Sequence, residues 1–168
     1  SVAEDAAQDA VCEAANDNDP AQVVVSGDRA AVERAVELAR ERGAKRAVML
    51  PVSAPFHCRL MAPAADAMAG ALDGVEMARP VVPLVANVEA APVSVPADIR
   101  RLLIAQVTGS VRWRESVARM AADGVTEIWE IGAGKALSGM IRRIDKSLTT
   151  RLVGTPAEVA AAAASVKG

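Results

Sequence analysis

The chain is nearly empty of aromatic side chains: Phe56, Trp113 and Trp129 are the whole complement in 168 residues, and tyrosine is missing. Base-stacking platforms need several such rings, so recognition of nucleic acid by that route is excluded. Charge agrees. The net charge is −2, without the basic excess that a phosphate backbone demands. Cysteine is scarce too: Cys12 and Cys58 lie far apart and no CxxC pair exists, which argues against a disulfide framework. A single histidine leaves a zinc site short of ligands. No apolar run approaches the roughly 20 residues of a membrane span. The opening stretch Ser1–Glu13 has acidic residues and no basic one, unlike a signal or transit peptide. A cytoplasmic protein is expected, with no membrane, nucleic acid or metal among its partners.

What remains is rich in small and aliphatic residues: 52% hydrophobic and 24% charged, a balance that describes a globular chain built on Ala, Val, Leu, Ile and Met. Alanine spacing predicts a helix over Val2–Glu13, broken by the turn formers Asn16–Pro20, with room for a short strand near Ala14–Asn16. Gln22–Ser26 is β-branched and predicts a strand. Asp28 stands where a helix cap belongs, ahead of the amphipathic helix Arg29–Arg42 and its stop at Gly43. A second strand is expected over Arg46–Val52. Further on, helices are expected at Leu60–Leu72, Pro96–Gln106, Trp113–Ala122, Ala136–Ile144 and Pro156–Val166. Strands are expected at Val81–Val88, Glu127–Ile131 and Arg151–Val153. Alternation of this kind points to an α/β layer structure. The first elements lack a sheet partner ahead of them, as though the chain began inside a fold.

His57 is the leading chemical candidate. It follows an expected strand in Pro51-Val52-Ser53-Ala54-Pro55-Phe56-His57, where a side chain can be presented at a strand end. An imidazole titrates near working pH and serves as a general base. On spacing alone, a surface or structural histidine in a loop is the more ordinary reading. Cys58 is adjacent, and neighbours in sequence point apart, so an inert buried thiol is the expectation. No serine sits in a GxSxG elbow. Gly132-Ala133-Gly134-Lys135 fails both the Walker and the GxGxxG patterns and is expected to be a tight strand-to-helix turn. Met61, Met68 and Met77 are expected to fill core.

Four stretches in order resemble the malonyl-CoA:acyl carrier protein transacylase family. They are Asn16-x-Asn18-x-Pro20-x-Gln22-Val23-Val24-Val25-Ser26-Gly27; Gly43-Ala44-Lys45-Arg46-Ala47 running into Leu50–His57; Val111-Arg112-Trp113 with Ser116-Val117; and Glu130-Ile131-Gly132-x-Gly134-Lys135-x-Leu137-x-Gly139. The likeness covers the family's C-terminal half. It implies the C-terminal part of an α/β-hydrolase-like body, residues 55–168, plus an incomplete ferredoxin-like subdomain, residues 1–54, lacking its first strand.

The resemblance implies a ping-pong transfer of malonyl from coenzyme A, through a serine ester, to the phosphopantetheine thiol of acyl carrier protein. His57 would be the base, oriented by the main-chain carbonyl of Gln106. Phe56 resembles the aromatic that narrows a malonyl-selective pocket. Asn18, Gln22 and Arg46 match positions lining the pantetheine and phosphate end of the groove, although turn capping and a solvated charge account for them too. Ala133 departs from the family's usual proline. No cofactor is implied beyond the coenzyme A thioester as substrate. The implied partners are malonyl-CoA, acyl carrier protein and an N-terminal half carrying the serine nucleophile, without which this segment is expected to be inactive. An acyltransferase domain of a polyketide synthase, or a non-catalytic carrier-protein-binding module, are the alternatives.

Overall fold

Ser1 starts the first helix: its hydroxyl accepts from Glu4 N while the Glu4 side chain returns to the Ser1 main chain, closing a capping box. In the computed structural model, which describes residues 1–166, this helix (α1, Val2–Ala7) stops at Gln8, whose φ is +51°. It does not run to Glu13. Cys12–Asp19 forms a strand, β1, antiparallel to β2 (Gln22–Gly27). The physical reason lies in β2, whose Val23-Val24-Val25 run needs a main-chain partner that an extended β1 supplies. The turn formers Asn16–Asp19 therefore lie inside a strand. The chain reverses over Asp19–Gln22, where Asp19 Oδ1 accepts from Ala21 N at 2.8 Å.

Helix α2 (Arg29–Glu41) buries Ala31 and Ala35 against Ala3 and Ala6 of α1 and Cys12 of β1. Asp28 holds the N-cap position, as expected, but its side chain makes no cap hydrogen bond. The carboxylate accepts instead from Val11 N at 2.8 Å, tying the start of β1 to the start of α2. Gly27 is required beside it, because a Cβ there would strike the Val11 carbonyl.

Arg46–Val52 is a further correction. The segment is irregular and has no ladder partner among the described residues, and Val48, Met49, Leu50 and Val52 are exposed. An apolar run makes a strand only where another strand pairs with it. After a turn at Pro55–Cys58 and a single 3-10 turn at Arg59–Met61 comes α3 (Ala62–Asp73). The strand expected over Val81–Val88 shrinks to β3 (Leu84–Ala86), since Pro83 cannot donate to a ladder. It pairs antiparallel with β4 (Ala91–Val93), which the sequence reading did not anticipate. Helices α4 (Pro96–Thr108) and α5 (Trp113–Ala122) follow. Then β5 (Glu127–Ile131), α6 (Ala136–Ile144) and β6 (Thr149–Val153) make a parallel β-α-β unit, followed by α7 (Pro156–Val166). No described helix is long and apolar enough to cross a membrane.

The β5–α6 turn uses Gly132 and Gly134 at φ +137° and +94°. The α6 N-terminus holds one of the protein's own carboxylates: Glu130 accepts from Leu137 N at 3.0 Å and Ser138 N at 2.7 Å. A helix start filled in this way offers no free cradle for phosphate. Hydrogen bonding from Ser138, reinforced by the Leu137 N–H, holds the Glu130 carboxyl below its ordinary range.

A second cluster of Val117, Ile141 and Leu148 underlies α5 and α6, with Trp113, Ile128 and Ile144 around it. Ile141 is fully buried, so Ile141→Ala is expected to lower unfolding free energy by about 2–5 kcal/mol, read from urea denaturation. Because the folded Glu130 pKa is lowered, its contribution to stability is full above the ordinary value of about 4.3 and fades as pH falls through the folded value. The melting-temperature gap between wild type and Glu130→Gln should therefore be widest near neutral pH and close in acid. A gap independent of pH contradicts the capping role.

Candidate active site

His57 does not sit at the end of a strand. It occupies the Pro55–Cys58 turn with φ +60°, a left-handed conformation that costs a non-glycine residue about 1–2 kcal/mol. Such a residue persists only where its surroundings over-determine it. Here the turn is held from both ends: Cys58 Sγ donates to Pro55 O at 3.2 Å, and Met61 N donates to Cys58 O at 3.0 Å. Cys58 is fully buried. Its side chain serves the turn that aims its neighbour.

The half-buried His57 ring meets α4 at its last turn. Nδ1 lies 3.0 Å from the main-chain oxygen of Gln106, one of the carbonyls that a helix leaves without an intrahelical partner at its C-terminus. A carbonyl can only accept, so this contact puts the proton on Nδ1 and leaves the Nε2 lone pair free. The Gln106 side-chain amide is also near, at 3.4 Å from Nδ1, but it donates to Gly109 O at 3.1 Å. The shorter carbonyl contact decides the tautomer. An open, largely apolar groove of about 170 Å³, lined by Leu84, Ala86, Val88, Ile99 and Leu102, has Gln106 in its wall.

Phe56, adjoining the histidine, is 49% exposed. Asn18 and Gln22 meet across the β1–β2 reversal, with Asn18 Nδ2 3.4 Å from Gln22 Oε1. Arg46 stands exposed after α2, and no hydrogen bond among the described residues joins it to either group. The structure thus brings together Phe56, His57 and Gln106 in one place and Asn18 and Gln22 in another.

Two contributors went unread in the sequence. Gly109 receives the Gln106 amide, and Asp19 builds the hairpin reversal. Asp19 also takes Arg143 from α6, 124 residues away. Nothing local signals a partner at that separation.

No protein-family model matches the chain. Similarity to individual proteins is extensive. The malonyl CoA-acyl carrier protein transacylase of Bacillus subtilis is 43% identical over 91% of the chain and 48% of that protein. The protein of the same name from Escherichia coli is 43% identical over 95% of the chain and 52% of its own length. Among solved structures, the acyl-carrier-protein-S-malonyltransferase of Bartonella henselae superposes with a TM-score of 0.94 at 50% identity, covering 99% of this chain and 53% of that one. A malonyl-transacylase in complex with a type II PKS acyl-carrier protein matches at TM-score 0.91 and 39% identity, over 96% of this chain and 52% of that one. The class these likenesses define is an acyltransferase of mixed α/β architecture. The chain belongs to the malonyl CoA-acyl carrier protein transacylase family, as the counterpart of the C-terminal half of its members. It spans about half the length of the curated relatives it matches.

The ring geometry has a direct readout. In long-range proton–nitrogen NMR at a pH where the ring is neutral, His57 is expected as the Nδ1-protonated tautomer, and to remain so in Gln106→Ala, which keeps the carbonyl. An Nε2-protonated ring contradicts the contact.

Proposed function

We propose that this segment supplies the general base of a malonyl-CoA:acyl carrier protein transacylase, acting with a serine nucleophile carried by an N-terminal half of the same enzyme. The observation that carries the reading is the Nδ1 contact with Gln106 O at 3.0 Å, in a chain whose relatives bear that enzyme's name.

In the first half-reaction His57 Nε2 takes the serine hydroxyl proton as the oxygen attacks the malonyl thioester carbonyl. The C–S bond breaks, and the coenzyme A sulfur leaves with that proton. In the second, Nε2 takes the proton of the phosphopantetheine thiol. The sulfur attacks the serine ester, and the proton returns to the serine oxygen. The ring is transiently cationic in both steps. A helix-terminal carbonyl, at the negative end of the α4 dipole, stabilises that state while holding the ring plane. No cofactor enters; coenzyme A arrives as part of the substrate.

The finer assignments follow the same reading. Phe56 narrows the acyl pocket against a branched malonyl, a discrimination of about 1–3 kcal/mol. Asn18, Gln22 and Arg46 line the pantetheine and phosphate end. Residues 1–54 make the ferredoxin-like subdomain and 55–168 part of the hydrolase-like body. Support for a covering N-terminal half comes from apolar side chains in solvent. Leu84 and Leu103 are exposed in the wall of the groove, Val81 and Val82 are exposed just ahead of β3, and Ile131 is 75% exposed at the end of β5. Parallel strands such as β5 and β6 are ordinarily buried on both faces.

The test is malonyl transfer from malonyl-CoA to holo acyl carrier protein by the full-length enzyme containing this sequence. His57→Ala is expected to slow transfer by about 10²–10⁴-fold with the fold intact by circular dichroism. Transfer at the wild-type rate removes His57 from the mechanism. Carrier-protein binding with no transfer in the unsubstituted enzyme makes the segment a binding module.

A further inference from the structure

Strand β1 bonds to far more than β2. Its acidic side chains, at Glu13, Asp17 and Asp19, each reach a different arginine from a different element. Glu13 accepts from Arg59 N at 3.0 Å and pairs with Arg59 Nη1 at 2.8 Å, two residues beyond His57. Asp17 takes Arg114 of α5 at 2.6 Å. Asp19, with its side chain wholly buried, takes Arg143 of α6 through both Nε and Nη2, at 3.0 and 2.7 Å. Between them the main chain makes a parallel bridge to Val111: Val111 N donates to Ala15 O at 2.8 Å, and Asp17 N donates to Val111 O at 2.9 Å. The strand can bond outward because β2 takes only one of its two edges; its pairing with β2 also skips Ala15 and Asn18, the extra residues of two bulge-like irregularities.

We propose that these pairs form a clamp that fixes the β1–β2 reversal, with Asn18 and Gln22, at a set position relative to His57, and that Arg143 and Arg114 are positioning residues for the substrate groove. The substrate consequence rests on the function proposed above; the clamp itself rests on geometry alone. One end of β1 is bonded to the segment that carries His57, and the other to α6. Asn18 lies between Asp17 and Asp19, so it cannot shift without disturbing one of the two arginine contacts. The two differ in weight. Asp17–Arg114 is a partly exposed pair, and such pairs hold weakly. Asp19 is a buried charge whose loss of a partner leaves an uncompensated carboxylate, and the hydrogen bond from Arg143 lowers its pKa from the ordinary carboxylate value.

The experiment uses the full-length enzyme. Arg143→Ala risks unfolding by stranding Asp19, so the informative variant is Arg114→Ala with Arg143→Lys, which keeps the charge and loses the two-nitrogen grip. Its KM for malonyl-CoA and for carrier protein should rise about five-fold or more while kcat and its pH profile stay near wild type, as expected when only substrate positioning is lost. Spin labels on Ala30→Cys in α2 and Ala118→Cys in α5, both exposed positions, should give a broader distance distribution in the double variant. Unchanged distances overturn the clamp. Broader distances with unchanged KM overturn its role in the groove, as does a fall in kcat at constant KM. If the unsubstituted enzyme transfers no malonyl, the functional reading fails with its substrate consequence, and the label distances, which need no substrate, still decide the clamp.

Discussion

One hydrogen bond organises the site: the imidazole of His57 against a peptide oxygen in the last turn of α4. Its usefulness comes from what a helix end leaves over. Inside a helix every carbonyl is engaged, whereas the last turn has carbonyls without partners. Presenting one of them to a ring nitrogen satisfies both groups and removes the need for a second ionisable residue. A carboxylate in that place would add a charge to desolvate; a main-chain oxygen adds none. The cost appears at His57 itself, in a left-handed backbone that the Cys58 thiol and the following 3-10 turn hold in place.

The remainder of the fold sets where that ring stands. Alanine-rich packing of α1 on α2 keeps the first layer thin, and β1 carries that layer onto the segment after His57 and onto α5 and α6. At the other end, Glu130 stitches β5 to the start of α6, so the element receiving Asp19 is itself anchored. A chain with three aromatic residues achieves this with small apolar contacts and charged side chains of long reach, in place of large rings.

How much of this was legible in the sequence depended on whether the deciding interaction was local. Helices α2, α5 and α6 and strand β5 stand within a residue or so of where spacing and stop signals put them, because a patterned stretch ended by glycine or aspartate carries its own instructions; α7 was legible from alanine propensity alone. The glycine spacing after Glu130 likewise made the tight turn readable and ruled out a phosphate loop, since it fits neither phosphate-binding pattern. Residues 8–13 misled, since alanine and glutamate favour helix locally while Val23–Val25 demands a strand partner; the short strand expected near Ala14–Asn16 lies inside β1, which runs on through the turn formers to Asp19. Arg46–Val52 misled in the opposite sense: its apolar run invites a strand, and no described strand pairs with it. His57 stood out because it is the only histidine, and Gln106 emerged through family resemblance alone. The Asp17–Arg114 and Asp19–Arg143 pairs span 97 and 124 residues, a separation over which sequence spacing carries no signal.

In the function proposed above, an imidazole at position 57 moves the proton. Chemical rescue tests it most directly. In the full-length enzyme with His57→Ala, added imidazole should restore malonyl transfer, with a pH dependence that follows the titration of the added base. Transfer that survives the substitution unaided, or that reappears equally with a non-basic molecule of the same size, contradicts it.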